Sequence, residues 1–251
     1  MSSILTLLLC LAVGVAQSVA YVVGGGRYNY AGKPYSTING GYYNYAYGYG
    51  SVVSGGMWNK LYAPWCSMGG GSWNVASAPH STIVGGHNNY ANSYASTVGG
   101  GMYNSAKGYI SYTGGGWYNH NWGSYSVLNG GTYNYIYNSY SVIGGGAWNW
   151  NWGKYATIGG GHNNYVYSYA GTVAGGQYNT VYGSYGSVGG GWYNHCYGSW
   201  SVIGGGWQNY LTQPGGFIGG GYYNRNYQDY GVVGGGTSNW LYNTGAQYAT
   251  I

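Results

Sequence analysis

Aliphatic and small residues in this chain fall on a beat of fifteen. Counting each unit from the first residue of a Gly-Gly pair, the fourteenth place holds Ile38, Val53, Met68, Ile83, Val98, Leu128, Ile143 and Ile158, with Thr113 and Tyr248 differing in kind. The twelfth place is Ser, Ala, Gly or Cys in every unit. The seventh is mostly Ala, Val, Leu or Ile, with Cys196 once, and is broken by Asn121, Asn151 and Asn226. The Gly-Gly pair itself recurs fifteen times, from Gly25-Gly26 to Gly235-Gly236, without insertion or deletion, and register holds over about nine-tenths of the chain. A unit this short cannot bury its own apolar face and gains a core only by stacking on its neighbours. The pattern predicts an all-β fold, a single-chain parallel β-solenoid or β-roll of about fifteen coils over residues 21–251. At sheet spacing that is a rod of roughly 70 Å.

Strand alternation assigns the faces. With places five, seven, twelve and fourteen turned inward, places four, six and eight point outward along one strand and carry more than half of the aromatic residues. The fourth-place rings of this predicted aromatic face are Tyr28, Tyr43, Trp58, Trp73, Tyr103, Tyr118, Tyr133, Trp148, Tyr178, Tyr193 and Tyr223. The opposite assignment would crowd up to three large rings per coil into the interior. At place five stands an unbroken column of asparagine: Asn29, Asn44, Asn59, Asn74, Asn89, Asn104, Asn119, Asn134, Asn149, Asn164, Asn179, Asn194, Asn209, Asn224 and Asn239. Stacked identical amides form hydrogen-bonded ladders along the axis, and Asn tolerates the bend after Gly-Gly. The glycines themselves permit positive φ and close backbone approach at each corner. All four prolines, Pro34, Pro64, Pro79 and Pro214, fall at place ten, which predicts that this place has no ladder hydrogen bond to lose.

Composition separates this repeat from a disordered one. The chain has 251 residues, with 55 Gly, 37 Tyr, 12 Trp and only 3% charged residues, whereas disordered chains are poor in aromatics and rich in charge. Six scattered cations, Arg27, Lys33, Lys60, Lys107, Lys154 and Arg225, face the single carboxylate of Asp229, so no basic patch points to nucleic acid. One carboxylate also leaves metal hydrolysis, paired-acid catalysis and Ser-His-Asp chemistry short of parts, so no enzyme, cofactor or metal site is expected. His87 returns as His162, and His120 as His195, because a 75-residue block is repeated, as in GGHNNYANSYASTVG at 85–99 and GGHNNYVYSYAGTVA at 160–174. Residues 1–20, with the apolar run Ile4 to Val15 and the small residues Ser18 and Ala20, read as a secretory signal cleaved before Tyr21. The apolar run is too short to span a bilayer. Cys66 and Cys196 lie nine coils apart, roughly 43 Å at strand spacing, and cannot form a disulfide within one solenoid.

The order Gly85-Gly86, Asn89, Ala91 and Tyr94-Ala95-Ser96-Thr97-Val98-Gly99 resembles the head repeats of trimeric autotransporter adhesins and related phage and secreted β-roll proteins. The likeness covers residues 22–249 and implies a left-handed parallel β-roll and binding to matrix or surfaces. The chain departs from that pattern in its aromatic residues at places four, six and eight. Together these readings predict a non-enzymatic, secreted structural protein of an extracellular matrix or fibre, such as shell, eggshell or cuticle. It would associate with itself through aromatic faces and with other matrix components, and in a mineralised setting would serve as framework. A second expectation is an adhesin that lays aromatic ladders on a polysaccharide. Ice binding ranks third, because place thirteen holds Thr only at Thr37, Thr82, Thr97, Thr157 and Thr172.

Overall fold

The computed structural model of the protein describes residues 20–242 and 248–251. The expected leader lies outside the described residues, save Ala20. Two fifteen-stranded parallel sheets run the length of the rod, each strand two residues long. One stacks place thirteen and fourteen residues from Val22–Val23 to Val232–Val233, and the other stacks places six and seven from Tyr30–Ala31 to Trp240–Leu241. A third side is a ladder of single bridges at place three, from Arg27–Tyr42 to Tyr222–Thr237. From the first coil to the Tyr222–Thr237 bridge each pairing joins residues fifteen apart, so the fifteen-residue period is the length of one coil.

The core is built from columns. Places seven and fourteen supply the buried aliphatics, among them Ile38, Leu61, Met68, Ile83, Leu128, Ile136, Ile143 and Ile203, and place twelve supplies small residues such as Ser51 and Ser96. Burying a column of such side chains contributes about 1.5–3 kcal/mol per large residue, which orders coils too short to fold alone. The three asparagines at place seven are buried as well and bond to the backbone of their own coil and to the place-thirteen carbonyl of the preceding one. Asn151, for example, donates to Ala156 O at 3.0 Å while its Oδ1 accepts from Gly153 N–H at 3.1 Å.

Between the sheets the chain turns at places nine to twelve. The place-twelve N–H returns to the place-nine carbonyl, as from Ser81 to Ala78 at 3.2 Å and Gly186 to Gly183 at 2.9 Å. Place eleven takes positive φ, 59° at Trp65 and 62° at Gly50. These are the features of a type II turn, in which place ten is the position that proline favours. The four prolines therefore sit where no ladder N–H is needed.

Two expectations change. Place four does not continue the strand of places six and seven. It stands at a corner with φ between 52° and 61° in all fifteen coils, for Tyr and Trp as for Asn88 and Asn163. Strand alternation breaks there because left-handed residues at places four and eleven interrupt the strand period. The second change is at the C-terminal end. Val232 bridges Thr250 rather than residue 247, and its N–H donates to Ala249 O at 2.8 Å. The last coil thus carries three extra residues, and Tyr248 belongs to the eleventh column, not the fourteenth. Its φ of 70° and its ring 5.4 Å from that of Tyr230 fit that column.

Candidate functional site

The asparagine column is where the glycines and the coil spacing are locked together. Asn134 is typical and fully buried. Its own N–H donates to Asn119 Oδ1 at 3.0 Å, and its Nδ2 donates to Gly130 O at 2.9 Å and to Gly146 O at 2.8 Å in the next coil. Its Oδ1 accepts from the N–H and the Nδ2 of Asn149 at 3.0 and 3.1 Å. One asparagine therefore links three successive coils, and its N–H to Oδ1 bond and both Nδ2 to glycine bonds recur from Asn44 to Asn224, while the Nδ2 to Oδ1 contact is made at some levels only. Only Asn29 and Asn239, at the two ends, are partly exposed. The second glycine of the pair is obligatory for the same reason: Gly146 has φ +83°, and a Cβ there would lie 2.1 Å from Gly161 O.

Outside this lock the surface is ring upon ring. At place four, Tyr28, Tyr43, Trp58 and Trp73 stack at centroid spacings of 4.6, 4.3 and 5.1 Å. Asn88 ends that run. Tyr103, Tyr118, Tyr133 and Trp148 form the next, at 6.2, 5.0 and 4.4 Å, until Asn163. Tyr178 and Tyr193 follow at 6.2 Å, and Tyr223 stands alone beyond Gln208. A left-handed conformation costs a bulky residue on the order of 1–3 kcal/mol. A stacked neighbour contributes about 0.5–1.5 kcal/mol beyond burial. Having a ring above and below thus offsets much of the backbone cost.

The longest run of parallel rings lies at place eight. Trp122, Tyr137, Trp152, Tyr167, Tyr182 and Tyr197 stack at 4.9, 5.1, 4.6, 4.6 and 4.7 Å, with planes within 12° of parallel. Tyr135, Trp150 and Tyr165 at place six lie beside it. Burial, with smaller contributions from Tyr210 and other neighbouring tyrosines, pushes the Tyr197 phenol up to about 12. A further column follows the opposite corner at places ten and eleven, including Tyr125, Tyr140 and Tyr155 at 5.2 and 4.9 Å. Sequence reasoning missed it, although a consensus Tyr before the small twelfth residue was its signal.

Two depressions interrupt the rings. Where Gln208 and Thr212 replace rings in one coil, a groove of about 480 Å³ opens between Tyr193 and Tyr223, floored by His195, Tyr210 and Arg225. The Arg225 guanidinium donates to Tyr223 and Tyr227 Oη at 3.0 and 3.1 Å and lies 5.1 Å from the Trp240 ring. Burial lowers the His195 pKa. A shallower apolar trough of about 730 Å³ runs past His87, Met102, Tyr103 and Trp117.

Comparison with known proteins gave no matching family model and no curated relative. The chemistry must then be read from the side chains alone. Among the described residues no three His, Cys, Asp or Glu side chains gather as metal ligands, and no helix is long and apolar enough to cross a membrane. Cys66 and Cys196 are free and buried, and burial pushes the Cys196 thiol up to about 12, where it is inert as a nucleophile.

Proposed function

We propose that this protein is a non-enzymatic structural component of a secreted extracellular matrix or fibre, in which rods associate side by side through their ring columns. The observation that carries this reading is the six-ring column from Trp122 to Tyr197, parallel along the rod and open to solvent on its outer edges. A regular apolar surface of this length exceeds the few hundred square ångströms that a solitary protein usually leaves exposed. Every coil repeats every 4.8 Å or so, so two rods can meet ring edge to ring edge in any register that is a multiple of the coil. The outer phenols also suit oxidative coupling. A peroxidase with hydrogen peroxide would remove one electron and one proton from each of two tyrosines on facing rods, whose ortho carbons then join. Replacing Trp152, Tyr167 and Tyr182 together by Ser tests this reading. Lateral bundles and dityrosine fluorescence should both fall sharply, and unchanged bundling in a folded variant would refute it. A relationship to adhesin heads would place the same rod in surface attachment, with the ring columns as the contact.

The Arg225 groove favours a second reading, binding of a polysaccharide. Its ring walls suit the flat faces of sugars, and its cation suits an acidic substituent. Retention on immobilised uronic-acid polymer, lost in Arg225→Gln, is the expected outcome; equal retention of the variant would remove this reading.

A further inference from the structure

Among the described residues the two ends of the rod are nearly complementary, and one short segment stands between them. At the N-terminal end Val22–Val23 extends the first sheet one level beyond Tyr30–Ala31, the outermost rung of the second. At the other end Trp240–Leu241 is the outermost rung of the second sheet. Level with it on the first sheet, the Ala249–Ile251 segment is held by three backbone bonds. Val232 N–H donates to Ala249 O at 2.8 Å, Gly234 N–H to Ile251 O at 2.8 Å, and Ile251 N–H to Val232 O at 2.9 Å. If a second copy sets its Tyr30–Ala31 rung on Trp240–Leu241, its Val22–Val23 falls on the place these residues occupy.

We infer that the Ala249–Ile251 segment is an exchangeable end cap, and that Val22–Val23 of a second copy displaces it to join rods head to tail. On the first sheet the exchange is even. Tyr21 O, Val23 O and Val23 N–H offer the same three bonds to Val232 and Gly234, the pairing seen inside the rod from Thr37 N–H to Ser51 O at 2.8 Å and from Asn39 N–H to Val53 O at 3.0 Å. On the second sheet the joint adds bonds, since among the described residues the groups concerned have no backbone partner. The N–H groups of Thr237, Trp240 and Tyr242 meet the carbonyls of Gly26, Asn29 and Ala31, as Tyr222, Arg225 and Tyr227 already meet Gly236, Asn239 and Leu241 at 2.9, 2.8 and 2.8 Å. Asn239 Oδ1 receives Asn29 N–H, which continues the amide column through the joint, as Asn239 N–H already meets Asn224 Oδ1 at 3.0 Å. Such a contact uses different surfaces on the two copies and does not close, so it propagates as a filament. By count Tyr21 stands at place twelve, where other coils hold only small residues, and this ring restrains the joint together with the cap.

The inference rests on the self-association read above and names a different surface for it. Its test compares the full protein with a variant lacking residues 248–251 and with the milder Ile251→Pro, which removes one cap bond. Sedimentation velocity and electron microscopy should show both variants joining end to end at concentrations at least tenfold lower than the full protein. Tyr21→Ser in the shortened chain should lower that concentration further, and Val23→Pro, which removes the N–H needed at the joint, should return single rods. Shortened and Ile251→Pro rods that keep their circular dichroism yet join no more readily than the full protein would overturn the proposal, as would joints indifferent to Val23→Pro. Side-by-side bundling is scored separately, since it responds to the ring variants and not to the cap.

Discussion

The two halves of the rod fill the same core with opposite choices. Over residues 25–111 place seven is Ala in five of six coils, and Ser stands opposite at place twelve in those five. From residue 160 onward place seven enlarges to Val166, Val181 and Leu211, and place twelve shrinks to Gly171, Gly186 and Gly216. The structure shows why the two columns move together. A Cβ on Gly171 would lie 2.7 Å from Val166 Cγ1, and one on Gly186 would lie 2.9 Å from Val181 Cγ1. Cross-sectional volume is therefore conserved even where the residues that supply it are not. A solenoid demands this, because a coil wider than its neighbours would break the ladders on all three sides.

The sharpest way to break the comparison is to load one half with the other's large residue. Gly171→Val should destabilise by about 3 kcal/mol or more through overpacking, whereas Ser96→Val beside Ala91 should cost about half as much. Denaturant melts of both variants check this. Converting a C-terminal coil to the N-terminal pairing is the complementary test. Val166→Ala alone should cost about 2–3 kcal/mol, and adding Gly171→Ser should restore at least 1 kcal/mol of it in a double-mutant cycle. Additive effects would show that the columns vary independently.

The amide column is common to both halves, so its weakening should depend on distance from the ends. Asn134→Ala should cost about 1–3 kcal/mol by taking the partner from Gly130 O and from the Asn149 N–H, whereas Gly146 O keeps the Thr132 N–H; Asn29→Ala, partly exposed at the first coil, should cost clearly less.

A smaller effect marks the boundary between the halves. Burial, aided by Lys107, lowers the His120 pKa from 6.5 to about 4. The unfolded chain then binds the proton more readily than the folded one, so this contribution to stability is complete above pH 6.5 and is lost as pH falls towards 4. His120→Phe should flatten that part of the thermal-stability profile. The smallest expected change is a gain: Ile110, a β-branched residue at φ 48° in the eleventh column, should stabilise when replaced by Gly or Asn, by on the order of 0.5–1 kcal/mol.

Much of the fold is legible in the sequence because three kinds of column, amide, aliphatic and small, share one period. The coil length, the buried asparagines and the proline turn all follow from it. The left-handed corner at place four does not, since Tyr and Trp rarely adopt that conformation. Asn88 and Asn163, which tolerate it, were the only cue in that column. The slip in the last coil escaped a strict count, although Tyr248-Ala249-Thr250-Ile251 repeats Tyr155-Ala156-Thr157-Ile158. The groove at Arg225 depends on two absent rings in one coil, and gaps in an otherwise regular surface carry no motif.

The fixed coil length has a mechanical consequence. Each level adds only about 4.8 Å to the rod but stores fifteen residues, about 50 Å when drawn straight. Because tension along the axis loads the ladders in series, coils should peel away singly. A rod under tension should thus lengthen stepwise, dissipating work at each release rather than snapping.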